Sequence, residues 1–280
     1  MIITSNEELL QFLPQTVSAV EGEPTLFEKL SASLKNAETW WRMIIAGEAD
    51  SQCEGDYMLA RSRSQAVACY ALAGALPKLD LVFTPNGFGV VSNQTVAPAS
   101  KERVQALSDA LRRETDDAVL YFTSNVTGTL GIAFNDRLHK GLMLAFMACN
   151  EDGKRLEWQQ HNVPYLRIIE SELESNVLGA PLTEFLVSLV RENKERDLET
   201  VLSKSDYDVL TAVRTAIYYE TVNRRERKKQ ALAIRSRREH IVNMIHRSEV
   251  CLTLWKDSTC PLLWDGEYYN NDKASGAYWL

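Results

Sequence analysis

From Leu182 to Cys260 the chain contains neither glycine nor proline. These are the usual helix breakers, so so long a stretch without them constrains the region to helices, and any interior break must come from another cause. The apolar spacing agrees: Leu182, Phe185, Leu186 and Leu189 recur in steps of three and four, and Val209, Val213, Ile217 and Tyr218 do the same after Ser205, the expected cap. The pattern then runs to about Val250, as one very long helix or as two joined by a bend.

Upstream, the spacing again predicts helices. Ser5 with Glu8, and Thr25 with Glu28, have the form of capping boxes. The first opens a short helix from Asn6 to Phe12, stopping before Pro14. The second opens a long amphipathic helix carrying Leu26, Leu30, Leu34, Ala37, Trp41 and Ile44 on one face. After a Gly/Asp/Ser-rich break from Gly47 to Asp56, Ser64 to Leu76 is apolar nearly all round, as suits a central core helix. Pro85-Asn86-Gly87 between two β-prone runs predicts a hairpin at about 80–91. Ser100 then caps a helix with Val104, Leu107, Leu111, Ala118 and Phe122 inside. Helical pattern resumes from Asp136 to Met147, turns at Asn150 to Gly153, and continues as a short helix from Pro164 to Glu174. The Thr/Asn/Gly-rich passage Thr123 to Gly131 places a lobe boundary near residue 128, giving lobes 1–127 and 128–280. No motif recurs at a fixed period. The expected fold is mainly α: a two-lobed helical bundle with one small β-hairpin and an irregular aromatic C-terminal segment.

Composition narrows the class. With 280 residues, a net charge of −7, 45% hydrophobic and 25% charged residues, the chain has an ordinary globular balance. This excludes a disordered tail, a collagenous repeat and a basic nucleic-acid binder over the whole length. Cys53, Cys69, Cys149, Cys251 and Cys260 are an odd number, widely spaced and without a CxxC pair, which fits a reducing compartment. The start lacks the basic-then-apolar order of a secretory signal. The longest apolar runs, Ala66 to Leu76 and Leu142 to Cys149, fall well short of the about 20 residues that cross a bilayer. The expectation is a cytoplasmic protein, neither secreted nor membrane-bound.

Two regions stand out as candidate binding surfaces. Asn223 to Arg238 holds eight basic residues, Arg224, Arg225, Arg227, Lys228, Lys229, Arg235, Arg237 and Arg238, against one acid, Glu226. Its net +7 leaves −14 on the rest of the chain. Such a block suits nucleic-acid phosphates or an acidic partner; equally, it suits a solvated helix paired with acids of the same protein. The second region runs from Trp255 to Leu280 and holds Trp255, Trp264, Tyr268, Tyr269, Tyr278 and Trp279. It reads either as a strap tucked into the helical body or as an arm docked on a neighbouring subunit.

Signals for covalent chemistry are missing. His139, His161, His240 and His246 lack the spacing of a helix-borne metal pair. The adjacent acids Asp116-Asp117 and Glu151-Asp152 point to different faces of a helix and read as solubilising. Gly87-Phe-Gly89 lacks the third glycine and the lysine of a phosphate cradle, and no GxSxG elbow occurs. No catalytic residue, metal, cofactor or small-molecule substrate is assigned, and the expectation is a protein that is not an enzyme.

The stretch LDLVFTPNGFGVVSN from Leu79 to Asn93, followed by VAPASKERV from Val96 to Val104, resembles the signature of an uncharacterised family encoded in prophages and related elements of Bacteroidetes bacteria. The opening ITSNEEL from Ile3 to Leu9 is similar too. The specific motif covers about 25 residues. The resemblance implies a virion structural protein, with a head–tail connector or adaptor as the specific role and with self-association or other virion proteins as partners. The alternative is a nucleic-acid-binding accessory protein that uses 224–238 as its contact.

Overall fold

The computed structural model describes residues 1–13, 24–79, 100–134, 155–226 and 230–264, together with the backbone of 81–84 and 87–90. The described chain is mainly helical. It divides into two compact units, Met1–Asn135 with Leu144–Gln160, and Asp136–Met143 with His161–Leu280. One division falls after Asn135. A second falls between Gln160 and His161, inside a helix.

In the first unit, α1 (Asn6–Leu10) is capped by Ser5, whose hydroxyl accepts the Glu8 N–H at 3.1 Å. Glu8 reaches back to the N–H of Thr4, so the box closes one residue earlier than its pattern suggests. α2 (Leu26–Trp40) carries the full box, with Thr25 and Glu28 bonded in both directions. It ends in a wide π turn, Trp41–Ala46, that seats Trp41 in the core with its indole N–H donated to Asp50 at 2.8 Å. The Gly/Asp/Ser-rich break forms a 3-10 helix, Gly47–Glu54. Asp56 then accepts the N–H groups of Met58 and Leu59 and opens α3 (Tyr57–Ala75), whose Ala66, Val67, Ala68, Cys69, Ala71, Leu72 and Ala75 are all buried.

Strands β1 (Leu81–Thr84) and β2 (Gly87–Val90) pair antiparallel, with Leu81 opposite Val90 and Thr84 opposite Gly87. α4 (Lys101–Asn125) starts at its Ser100 cap and packs antiparallel along α3, which sets Gln65 against Glu114 at 2.6 Å and Met58 beside Tyr121. Leu111, Ala118, Val119 and Phe122 of α4 are buried, and Phe122 meets the edge of Trp41 at 4.8 Å. α5 (Arg155–Leu173) carries Pro164, the expected start of this helix, in its interior.

The second unit continues with a π turn, Glu174–Leu178, and α6 (Ala180–Glu192). The short α7 (Leu198–Val201) precedes α8 (Lys204–Arg225). Ser203, not Ser205, caps α8: its hydroxyl accepts the Asp206 N–H. α9 (Ala231–Ile245), α10 (Glu249–Lys256) and α11 (Pro261–Trp264) follow. The segment from Trp255 to Leu280 is expected to be irregular, yet Trp255 lies on α10 and Trp264 on α11; its residues from 265 on lie outside the described residues. The helix expected over 136–147 and the turn at 150–153 lie outside the described residues.

Both π turns end on a glycine with positive φ, Gly47 at 55° and Gly179 at 78°. Each is also a point of close approach. A Cβ on Gly47 would sit 2.7 Å from the Leu130 carbonyl carbon, and one on Gly179 2.3 Å from the Ser258 Cβ. Opposite Gly47, Gly131 donates its N–H to Ile45 at 2.8 Å, and a Cβ there would lie 2.4 Å from the Ile44 carbonyl carbon. Around Gly47 and Gly131 the neighbours are backbone, so a rotamer change cannot make room. Gly131→Ala is therefore expected to destabilise the first unit by at least about 2 kcal/mol in urea unfolding, whereas Gly55→Ala, with open space around it, should change stability by less than about 0.5 kcal/mol.

Candidate functional site

The first unit holds a cavity of about 380 Å³ between α3, α4 and the first turns of α5. Tyr70 and Gly74 of α3, Arg112 and Asp116 of α4, and Glu157 and Gln160 of α5 line it. Tyr70 is 40% exposed and lies flat on Trp40, with ring centres 3.9 Å apart and planes 2° from parallel. The stack fixes the ring at the cavity wall, and burial raises the pKa of its hydroxyl.

Asp116 is the central group. One carboxylate oxygen accepts the N–H of Arg155 at 2.8 Å and the other that of Leu156 at 3.4 Å, which satisfies two of the free donors at the start of α5. Arg155 in turn bonds Asp117 at 2.7 Å. The adjacent acids thus do structural work: Asp116 is buried at 4% exposure and Asp117 anchors the Arg155 side chain, which corrects their reading as solubilising residues. Burial pushes the Asp116 carboxyl up to about 6, against the lowering effect of the two N–H groups and of Arg155; the charge on Asp117 adds to the rise.

The sequence-predicted surfaces fall in the second unit. The basic block is not one rod: α8 stops at Arg225 and α9 starts at Ala231. Arg227, Lys228 and Lys229 lie outside the described residues. Arg224 pairs with Glu172. Arg238 binds Glu220 at 2.7 Å and reaches Glu172 at 3.4 Å. Arg235 pairs with Glu239 one turn on, and Arg237 lies over the Tyr219 ring at 5.0 Å. Arg225 is exposed at the end of α8. Four of the five described cations therefore have partners within their own unit, the arrangement that the solvated-helix reading anticipates.

The described aromatics of the terminal region bond within their own unit. Trp255 is fully buried and donates its indole N–H to the Val177 carbonyl at 2.6 Å, with His246 against its ring at 5.2 Å. Trp264 donates to the Asn176 carbonyl at 2.6 Å. Both bonds end on the π turn Glu174–Leu178, whose wide geometry leaves carbonyls free to accept. The ring of Trp255 is thus used inside its unit and is not offered to a neighbour. Tyr268, Tyr269, Tyr278 and Trp279 lie outside the described residues.

Further buried polar groups are matched in the same way. Arg214, 1% exposed, holds Glu195 through two bonds of 2.7 and 3.0 Å. Asp206 accepts from Ser248 and from Ser203, the caps of α10 and α8. Burial pushes the Cys53 thiol up to about 11 and those of Cys69 and Cys251 up to about 12, so they stay protonated and unreactive at neutral pH. Among the described residues no cluster of three His, Cys, Asp or Glu is placed to hold a metal ion, and no helix is long and apolar enough to cross a membrane.

Asp116 gives a pH prediction. Its carboxyl titrates higher folded than unfolded, so its contribution to stability is fully present below its ordinary value near 4 and is lost as pH rises through 6. The shift of about two units corresponds to about 3 kcal/mol. Between pH 4 and 7, Asp116→Asn should gain stability relative to the unmodified chain by an amount of that order, measured by urea unfolding of both proteins across the range. A difference that stays constant with pH would contradict the assignment.

The α3–α4 pair that builds most of this cavity is also where the chain is similar to a known family. A family of unknown function, DUF6712, matches residues 54–120, from just before α3 to within α4, a span that includes the residues 79–104 carrying the resemblance noted in the sequence. No curated protein and no solved structure matches the chain.

Proposed function

We propose that the chain is a non-enzymatic structural or assembly protein of a phage or prophage of Bacteroidetes bacteria, a head–tail connector or adaptor that acts through contacts between subunits. The observation that carries this reading is where the polar groups are used. The buried acids Asp116, Asp206 and Glu220, the Arg214–Glu195 pair and the raised thiols all serve packing within their units, as expected of a body whose output is its surface. Exposed apolar side chains such as Tyr57, Met58 and Tyr121 near one end of the α3–α4 pair, and Leu262 and Leu263 on α11, supply sticky area for such contacts. In this reading the β1–β2 ribbon and the terminal aromatics Tyr268, Tyr269, Tyr278 and Trp279 add contacts to neighbouring copies or to other virion proteins.

The nucleic-acid alternative draws less support. With Arg224, Arg235 and Arg238 paired to carboxylates, few phosphate-binding charges remain in the described part of the block.

Sedimentation velocity of the full chain over a concentration series, with mass spectrometry of particles from an induced host, tests the proposal. The expected results are a discrete oligomer and a fixed copy number per particle. A monomer at every concentration, with no chain in the particles, would overturn it. DNA affinity at low salt should change less than about threefold on Arg225→Gln and Arg237→Gln; a large, salt-dependent loss would favour the alternative.

A further inference from the structure

The cavity between α3, α4 and α5 holds a chemistry that the assembly reading does not use. Among the described residues its walls carry two acids, Asp116 and Glu157, against one cation, Arg112. Asp116 is buried, yet its partners are two backbone N–H groups, one of them at a long 3.4 Å. An ionised carboxylate offers about four acceptor positions, so two bonds leave it capacity to accept more. The cation acting on it is Arg155, and Arg155 commits its Nη1 to Asp117 at 2.7 Å. On α4, Arg112 stands one turn before Asp116 but is exposed and forms no ion pair with it among the described residues. The cavity thus contains a desolvated negative charge short of a full counter-charge, with a second carboxylate and the Gln160 amide on the α5 side.

The α3 side of the cavity is aromatic. Tyr70 lines the cavity with its ring held flat on Trp40, and the electron-rich face of such a stack attracts a flat cation. An anion would meet two carboxylates here. A purely apolar group would strip the remaining water from Asp116 and leave its charge unpaired. A guanidinium satisfies both walls at once, because its planar fork matches a carboxylate while its face stacks on a ring; an ammonium is drawn to each only as a point charge, without the fork or the stacked plane.

We propose that this cavity is a receptor for an arginine side chain presented by a partner polypeptide, with the guanidinium seated between Tyr70 and the Asp116–Glu157 edge. The volume of about 380 Å³ is in the range of small-ligand sites, so the arginine enters with part of its flanking backbone. This adds a partner chemistry to the assembly reading without depending on it: the test below reads the cavity alone, whereas assembly is read by sedimentation.

The probe is N-acetyl-arginine amide, titrated at low salt into the isotope-labelled full chain and followed by amide chemical shifts. Saturable binding is expected, with the largest shifts in the first two turns of α5 and around Tyr70. N-acetyl-citrulline amide, of the same shape but neutral, should not saturate, and N-acetyl-lysine amide should bind at least about threefold more weakly for want of the stacked face. Glu157→Gln and Tyr70→Leu, both at exposed positions, should each weaken binding about fivefold, equivalent to about 1 kcal/mol. Asp116→Asn should abolish it; should that variant fail to fold, the two exposed variants carry the test. Equal binding of the citrulline or lysine probe, shifts confined to other regions, or unchanged affinity in both exposed variants would overturn the proposal.

Discussion

Charge taken out of water must find a partner, and in this protein the partner usually stands on a different helix. Asp116 of α4 holds the first N–H groups of α5, Asp206 of α8 accepts from the cap of α10, and Arg238 of α9 binds Glu220 of α8. Arg214 of α8 is held by Glu195 in the segment ahead of α7. Breaking a buried ion pair such as Arg214–Glu195 costs about 3–5 kcal/mol, because one charge is then stranded. Pairs of this kind fix which turn of one helix lies beside which turn of the next, a selection that apolar packing makes only loosely. The oily faces bring the helices together and the matched charges set their register.

Glycine contacts supply the second constraint. In each unit a helix relaxes into a π turn that ends on a glycine with positive φ, and a later segment lies directly on the turn: Leu130 and Gly131 on Gly47 and Ile44, Ser258 on Gly179. The wide turn frees carbonyls, and those carbonyls are what the later segments bind, as when Val177 and Asn176 accept from Trp255 and Trp264. The shared device does not amount to a sequence repeat, since the two turns, WRMIIA and ESNVL, have little in common beyond their local geometry.

How much of this the sequence reveals depends on how local each cause is. The caps at Ser5, Thr25 and Ser100 and the buried face of α3 involve residues within one or two turns, and all are readable from spacing. The bonds from the Arg155 and Leu156 N–H groups to Asp116 are not, because they join residues 39 and 40 positions apart. Pro164 marks a start by local rules but sits inside α5, on an exposed face. The interruption after Arg225 has no glycine or proline to announce it; it follows from the return of α9 onto α8, which brings Arg238 to Glu220. The cavity was missed for the same reason. Asp116-Asp117 looks like a solvated pair until α5 covers one member, and the only signal in the sequence was that Asp116 follows the buried Leu111 and Thr115 and precedes the buried Val119 on a shared helical face.

The account therefore centres on one carboxylate that closes a helix junction and faces a cavity with capacity to spare. A carbon-detected NMR titration of the Asp116 carboxyl in the full chain tests this most directly, alone and with N-acetyl-arginine amide present. The account predicts a midpoint close to 6 that moves down when the cation is added. A midpoint near the ordinary aspartate value of about 3.9, unmoved by the probe, would contradict it.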